Sequence, residues 1–149
     1  MVSDEQFATV SGSAGWFPSR GADTRAAADI WAQVGHTSSR AAEEFVAEFD
    51  GLSIAYPRHP SVGGEDRCVL DAVLATRSIH PATVRSYERR VSETLCPVGT
   101  AASSHLTLMV TPSGRVYGGY DAFLALYGES GRDAIWNICH RIRGVPVPD

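Results

Sequence analysis

The chain has 149 residues, 44% hydrophobic and 20% charged, which is enough to bury a core in one domain without disulfides or a metal. Its net charge of −4 disfavours direct nucleic-acid binding, which depends on basic side chains that neutralise phosphates, and suits a basic partner instead. All 13 basic residues are arginine, so mechanisms that need a lysine general base, a lysine Schiff base or a phosphate-loop lysine are excluded.

The N-terminal segment 1–12 is polar and has neither a basic nor an apolar signal-peptide region, so we expect a polar tail there. No later stretch has the length of an apolar membrane span. Three cysteines at long spacings, Cys68, Cys96 and Cys139, argue against a disulfide framework. We therefore expect a cytoplasmic protein with buried thiols and no membrane association.

Two amphipathic helices are predicted in the first third of the chain. Asp23 or Thr24 can cap the first helix, which ends at Gly35, and Thr37 or Ser38 can cap the second. Each helix carries apolar residues at the spacing of one buried face. These inward residues are Ala27, Ile30, Trp31 and Val34 in the first helix, and Ala42, Phe45, Val46 and Phe49 in the second.

Short strands are predicted in the middle of the chain. The clearest signal is a hairpin in which 106–110 and 115–117 are joined by a turn that contains proline and glycine. Further strands are predicted at 52–56, 68–73, 95–98 and 123–127. The run 57–67, which is rich in proline and glycine, is predicted to be an exposed loop.

Two more helices are predicted. Pro81 suits a first helical position, and the apolar residues that follow it favour a helix through Val91. The last helix runs from its cap at Ser130 to about Arg143, with Ile135, Ile138, Cys139 and Ile142 inward and Trp136 on or beside the core. Helices at both ends of mainly antiparallel strands predict a single α+β domain over 13–145, followed by a short tail, 146–149.

No constellation in the sequence predicts catalysis. The cysteines and the histidines His105 and His140 lack the close pairing that anchors most zinc sites, and no serine lies in a nucleophile elbow. We therefore predict a binding protein without cofactor, metal or catalytic residues. An enzymatic alternative would require His105 or His140 within hydrogen-bonding reach of a cysteine or serine in a cleft.

Four residues are candidates for contacting a partner. Glu65 and Asp66 fall in the glycine-rich loop, and loops of this kind more often carry recognition than packing. Asp50 follows the second helix, and together the three carboxylates would speed encounter with a basic partner. Trp16 precedes the first helix, where it can be either a lid on the core or an exposed anchor.

Four short motifs occur in a fixed order along the chain: Ala14-Gly15-Trp16 with Arg20, Phe45-Val-Ala-Glu-Phe49-Asp-Gly51-Leu52, Cys96-Pro97-Val98-Gly99 and Gly114-Arg-Val-Tyr117. Together, from about Trp16 to Gly144, they resemble the third branch of the SUKH superfamily of bacterial immunity proteins. One departure is Asp50, where members commonly have a second glycine.

The resemblance implies an immunity protein that binds a cognate polymorphic toxin and occludes its active surface. Many toxins neutralised by this superfamily are nucleases or nucleic-acid deaminases, so the expected partner is basic. The alternative is a regulatory or scaffolding module of the same fold that binds a housekeeping partner. The sequence predicts no oligomeric state.

Overall fold

A single sheet of seven strands, arranged in the order of the sequence, organises the computed structural model, which describes residues 1–149. The strands are β1 (Ser53–Pro57), β2 (Glu65–Val69), β3 (Cys96–Ala101), β4 (Leu106–Val110), β5 (Val116–Tyr120), β6 (Phe123–Gly128) and β7 (Val145–Pro146). The helices are α1 (Asp4–Ser11), α2 (Arg25–Val34), α3 (Arg40–Phe49), α4 (Ala72–Ser78), α5 (Pro81–Val91) and α6 (Gly131–Cys139). All strand pairs are antiparallel, and the predicted α+β class is confirmed.

The two faces of the sheet carry separate hydrophobic cores. Leu108 and Val116 belong to the larger core of 26 buried residues, to which α1, α2, α3 and α6 contribute. Their neighbours Met109 and Tyr117 point the opposite way, because successive strand residues alternate between faces. They belong to a smaller core of 6 buried residues, which α5 covers.

Four helices follow the predicted amphipathic pattern, namely α2, α3, α5 and α6. Trp31 is fully buried, as expected, whereas Trp136 is only half-buried. The cap of α3 is Ser39, one residue later than predicted, and its hydroxyl accepts a hydrogen bond from the Ala42 backbone N–H at 3.1 Å.

The last helix is shorter than predicted. Ser130 caps α6 as expected and accepts a hydrogen bond from the Asp133 backbone N–H at 3.2 Å. The helix ends at Cys139, however, and Arg141 takes a left-handed conformation with φ of 55°. This change of direction leaves Ile142 49% exposed, so its predicted inward position is wrong.

The predicted strand 68–73 is wrong in its second half, where α4 begins instead. Asp71 caps this helix and accepts a hydrogen bond from the Leu74 backbone N–H at 3.0 Å. The predicted loop 57–67 is also shorter, because β1 and β2 pair from Ser53↔Val69 to Pro57↔Glu65. Only residues 58–64 connect the two strands.

Both terminal segments, the polar N-terminal one and the short C-terminal one, were expected to be tails, but each contacts the domain. Residues 4–11 form α1, and Phe7 is fully buried in the larger core. At the other end, β7 pairs with β6, and the Arg90 guanidinium donates hydrogen bonds to the carbonyls of Val147 and Pro148. The buried Phe7 therefore anchors the N-terminal segment, and the hydrogen bonds of Arg90 anchor the C-terminal segment.

Candidate protein-binding surface

Three hairpin turns meet at one end of the sheet, because alternate turns of an antiparallel meander lie at the same end. These turns are residues 58–64, 102–105 and 121–122, and we call this region the hairpin end. The predicted partner-binding residues Glu65 and Asp66 lie here, at the start of β2.

The turn between β3 and β4 contains three consecutive left-handed residues that are not glycine. Ala102, Ser103 and Ser104 have φ angles of 51°, 58° and 68°, a conformation that side chains disfavour. Two side chains from the neighbouring hairpin fix the turn. The Tyr56 hydroxyl accepts a hydrogen bond from the Ala102 N–H at 3.2 Å, and the Asp66 carboxylate accepts one from the Ser103 N–H at 3.0 Å. The turn is therefore rigid, and Asp66 is one of the residues that hold it.

The turn between β5 and β6 is also left-handed and fixed. Asp121 has φ of 48°, and its backbone carbonyl accepts a hydrogen bond from the Tyr87 hydroxyl at 2.7 Å. Arg90 donates to the next carbonyl, that of Ala122, at 2.8 Å. The preceding Tyr120 is 48% exposed and stacks on Phe123 with ring centroids 4.9 Å apart. A partly exposed aromatic ring thus stands on an ordered turn.

Between these two turns and the first half of α5 lies a groove of about 620 Å³, which we call the turn groove. Its lining is polar, with hydroxyl groups from Ser78, Thr83, Ser86, Ser104 and Thr107. His80 and His105 add two imidazoles. Asp121 is the one acidic residue in the lining, which contains no arginine.

A second cleft of about 490 Å³ lies on the other side of the β3–β4 turn. Glu65 and Asp66 line it together with Arg58 and Arg67. Glu65 is exposed, whereas Asp66 is half-buried against the turn. The cleft therefore carries charges of both signs.

The other two candidate residues lie away from the hairpin end. Asp50 lies just before β1, at the end of the strand opposite to the hairpin end. The five residues of β1 span about 16 Å, and Glu65 pairs with the last of them, Pro57, so Asp50 and Glu65 are far apart. The carboxylate of Asp50 accepts a hydrogen bond from the Ala72 N–H at 2.9 Å, at the first residue of α4. Burial raises the pKa of Asp50. This residue joins the end of α3 to the start of α4.

Trp16 is a lid on the core. It is 5% exposed, and its ring packs edge-on against Phe7 with centroids 4.9 Å apart. The indole N–H donates to the Glu48 carboxylate at 3.2 Å, and the Arg132 guanidinium lies 5.2 Å from the ring centroid. The structure therefore excludes Trp16 as an exposed anchor.

The potential nucleophiles and metal ligands are dispersed. All three cysteines are buried and free, and burial raises the pKa of each thiol, to about 12 for Cys96 and Cys139. No hydrogen bond joins His105 or His140 to a cysteine or serine. No group of three or more histidine, cysteine, aspartate or glutamate side chains is placed to hold a metal ion.

Sequence reasoning missed Tyr120 and Asp121 as surface residues. The available signal was their position between two predicted strands, since aspartate tolerates the left-handed conformation that a tight turn requires. Their proximity to the β3–β4 turn and to α5 has no local signal, because it depends on the order of strands in the sheet.

Comparison with known proteins identifies a family. The family model described as SUKH-3 immunity protein matches residues 5–141, from α1 to just beyond α6. No curated protein and no solved structure matches the chain significantly. None of the helices is both long and apolar enough to cross a bilayer. Because the matched region covers almost the whole chain, the protein belongs to the SUKH-3 family of immunity proteins.

Proposed function

We propose that this chain neutralises a cognate nuclease or nucleic-acid deaminase of a polymorphic toxin system by binding it in the cytoplasm and covering its active surface. Family membership supports a toxin-neutralising role. On this proposal the inhibition is stoichiometric, needs no cofactor and involves no reaction catalysed by the chain. The interface would depend on a few well-packed anchors rather than on area alone.

The ordered turns at the hairpin end are the observation that carries the choice of surface. Four non-glycine residues there hold left-handed conformations, Ala102, Ser103, Ser104 and Asp121. Each such residue costs free energy that other contacts must offset, and strain of this kind concentrates at functional sites. A surface that is already ordered loses little conformational entropy on binding, which favours tight association.

Two exposed carboxylates at the hairpin end can pair with a basic partner, although Arg58 and Arg67 line the same cleft as Glu65. A toxin that acts on nucleic acid must bind phosphates and therefore presents arginine or lysine. Glu65 is exposed on the cleft, and Asp121 is exposed on the turn groove. By contrast, α4 and α5 together carry four arginines and one glutamate, which is a net charge of +3. Since the whole chain has a net charge of −4, the remaining residues carry a net charge of −7. The basic toxin is therefore expected to avoid the outer surface of α4 and α5.

Co-expression with the toxin domain encoded nearest to the gene tests the proposal. We expect the wild-type chain to protect the host and to co-purify with the toxin in a one-to-one complex. Glu65→Arg should slow association, since charges at the edge of an interface act mainly on the rate of encounter. Asp29→Arg is the matched control, because Asp29 is exposed on α2 and lines neither the cleft nor the turn groove.

Two outcomes would contradict the proposal at different levels. Equal association rates for Glu65→Arg and Asp29→Arg would remove the cleft from the interface. Continued toxicity without a complex for the wild-type chain would reject this toxin as the partner and favour the regulatory or scaffolding alternative.

A further inference from the structure

We propose that the chain forms a homodimer in which the outer edge of β1 pairs with β1 of a second copy in an antiparallel register centred on Ala55. This inference goes beyond the proposed function and does not depend on it. The first strand of the sheet pairs on one side only, with β2. Its other side is a strand edge, which offers backbone N–H and C=O groups to another strand.

The backbone groups that β1 turns outward follow from the hydrogen bonds at both ends of its hairpin. The Leu70 N–H donates to the Leu52 carbonyl at 2.8 Å, and the Arg58 N–H donates to the Gly64 carbonyl at 3.0 Å. Residues bonded in this way alternate with residues whose N–H and C=O point away from the paired strand. The outward residues of β1 are therefore Ser53, Ala55 and Pro57. All three are exposed, and the nearby segment 12–14 forms no hydrogen bond with the strand.

The opposite edge of the sheet is closed to such pairing. There the Val147 N–H donates to the Leu124 carbonyl at 2.8 Å, so the residues on either side of Val147 turn their backbone groups outward. These residues are Pro146 and Pro148, which have no N–H to donate. On β1, proline occupies only the last position. The sheet therefore has one edge that can accept a strand.

The missing N–H of Pro57 indicates that the occupant is a second copy. With Ala55 facing Ala55, each Ala55 N–H donates to the facing Ala55 carbonyl, and each Ser53 N–H donates to the facing Pro57 carbonyl. Because proline returns no hydrogen bond, the Ser53 carbonyl needs another donor. Arg67 of the same chain supplies it, since its Nη1 atom lies 3.4 Å from the Ser53 carbonyl oxygen and 3.1 Å from the Ser53 hydroxyl. Every outward group of β1 is thus satisfied in this register.

The charges beside the edge fit the same register. Glu65 and Arg67 are exposed and pair with Pro57 and Ala55, so all four side chains lie on one face of the sheet. In the dimer, Glu65 of one copy lies two strand spacings, about 10 Å, from Ser53 of the other copy. The Arg67 guanidinium of that other copy is held at this serine. Opposite charges therefore face each other twice across the dimer axis.

The small size of the contact sets its affinity. A paired edge of five residues, whose exposed side chains are short, buries less than the roughly 1,200 Å² of a stable interface. We therefore expect a dimer that forms at high protein concentration and dissociates on dilution.

Sedimentation velocity over a series of concentrations tests the dimer. We expect the wild-type chain to shift from monomer to dimer as the concentration rises. Ala55→Pro should weaken the dimer by at least about tenfold, because it removes both central N–H donors. These donors have no acceptor within the monomer, so the variant should stay folded, which thermal unfolding verifies.

A cysteine at the dimer axis tests the register. All natural cysteines are buried, so Ala55→Cys adds an exposed thiol that a short bis-maleimide should join to the same thiol of a second copy. Ala82→Cys is the matched control, because it makes the same substitution at an exposed position of α5 and should give little cross-linked dimer. Equal cross-linking of the two variants would overturn the register.

An exchange of charges separates pairing from damage to the fold. Glu65→Arg and Arg67→Glu should each weaken the dimer, because each brings like charges together. The double variant restores opposite charges and should dimerise more strongly than either single variant, whereas a defect in folding would add up.

Three results would overturn the inference. The first is a wild-type chain that stays monomeric at every concentration. The second is a dimer that Ala55→Pro leaves unchanged. The third is a monomeric wild-type chain that loses toxin binding on Ala55→Pro, which would assign the edge to the toxin. Toxin association is measured on dilute, monomeric protein, so the dimer can fail while the proposed function stands, and the reverse.

Discussion

The helix-packed region, which comprises α1 to α3, their connections and the start of α4, contrasts with the hairpin end in how it uses the same kinds of residue. Each region has an aromatic ring, an aspartate and a histidine at informative positions. In the helix-packed region these are Phe49, Asp50 and His36, all buried or half-buried, and at the hairpin end they are Tyr120, Asp121 and His105, all exposed. Residue type alone therefore does not separate structural residues from candidate binding residues.

The largest expected effect is that of emptying the aromatic cluster under the helices. Phe49 is 2% exposed and lies 4.8 Å from Phe45 and 5.5 Å from Phe7 between ring centroids. Phe49→Ala should lower the free energy of unfolding by about 3 to 5 kcal/mol, because it removes buried contacts and leaves a cavity. Chemical denaturation measures this loss.

Tyr120→Ala provides the comparison at the hairpin end. This ring is half exposed, so its removal should cost less than about 1.5 kcal/mol, mostly for the stacking on Phe123. Equal losses for the two variants would show that the hairpin end is as much a part of the core as the helices are.

Replacing the two aspartates, one in each region, should change the free energy of unfolding by an intermediate amount. Asp50→Ala leaves the Ala72 N–H at the start of α4 without its acceptor and should cost about 1 to 2 kcal/mol. Asp121→Asn should change stability by less than about 0.5 kcal/mol, because the carboxylate has no partner within the chain. Thermal or chemical unfolding compares the two, and a stable Asp50→Ala variant would contradict the structural role of Asp50.

The smallest expected effect on stability is that of replacing the buried histidine, His36, and this effect depends on pH. His36 is 7% exposed, and its Nε2 atom has no hydrogen-bond partner. Burial lowers the pKa of the imidazole, while the nearby Glu88 acts in the opposite direction. The folded state therefore favours the neutral ring. The contribution of the neutral ring to the free energy of unfolding is therefore at its full value above the unfolded-state pKa of about 6.5. It declines as the pH falls from there through the folded-state pKa.

His36→Leu should accordingly flatten the loss of stability of the wild-type chain between about pH 7 and pH 5. His105→Leu is the control, since His105 is exposed at the hairpin end. Urea denaturation at several pH values gives the slopes. Parallel curves for the wild-type chain and His36→Leu would show that the buried imidazole does not contribute.

The sequence by itself determined the elements whose signals are local. Helices α2, α3 and α6 were predicted from the spacing of apolar residues, and the β4–β5 hairpin from strand alternation and turn residues, because these patterns act over a few neighbouring positions. The α+β class follows from the order of these elements, and the family follows from motifs that keep their order along the chain.

Tertiary structure decided the roles of the candidate site residues, because those roles depend on partners far away in the sequence. Asp50 is a structural acceptor because α4 begins 22 residues later, and Asp66 supports a strained turn that lies 37 residues later. Trp16 is a lid because Glu48, 32 residues later, accepts its indole N–H. The hairpin end itself exists only because the strands pair in sequence order, which brings alternate turns together.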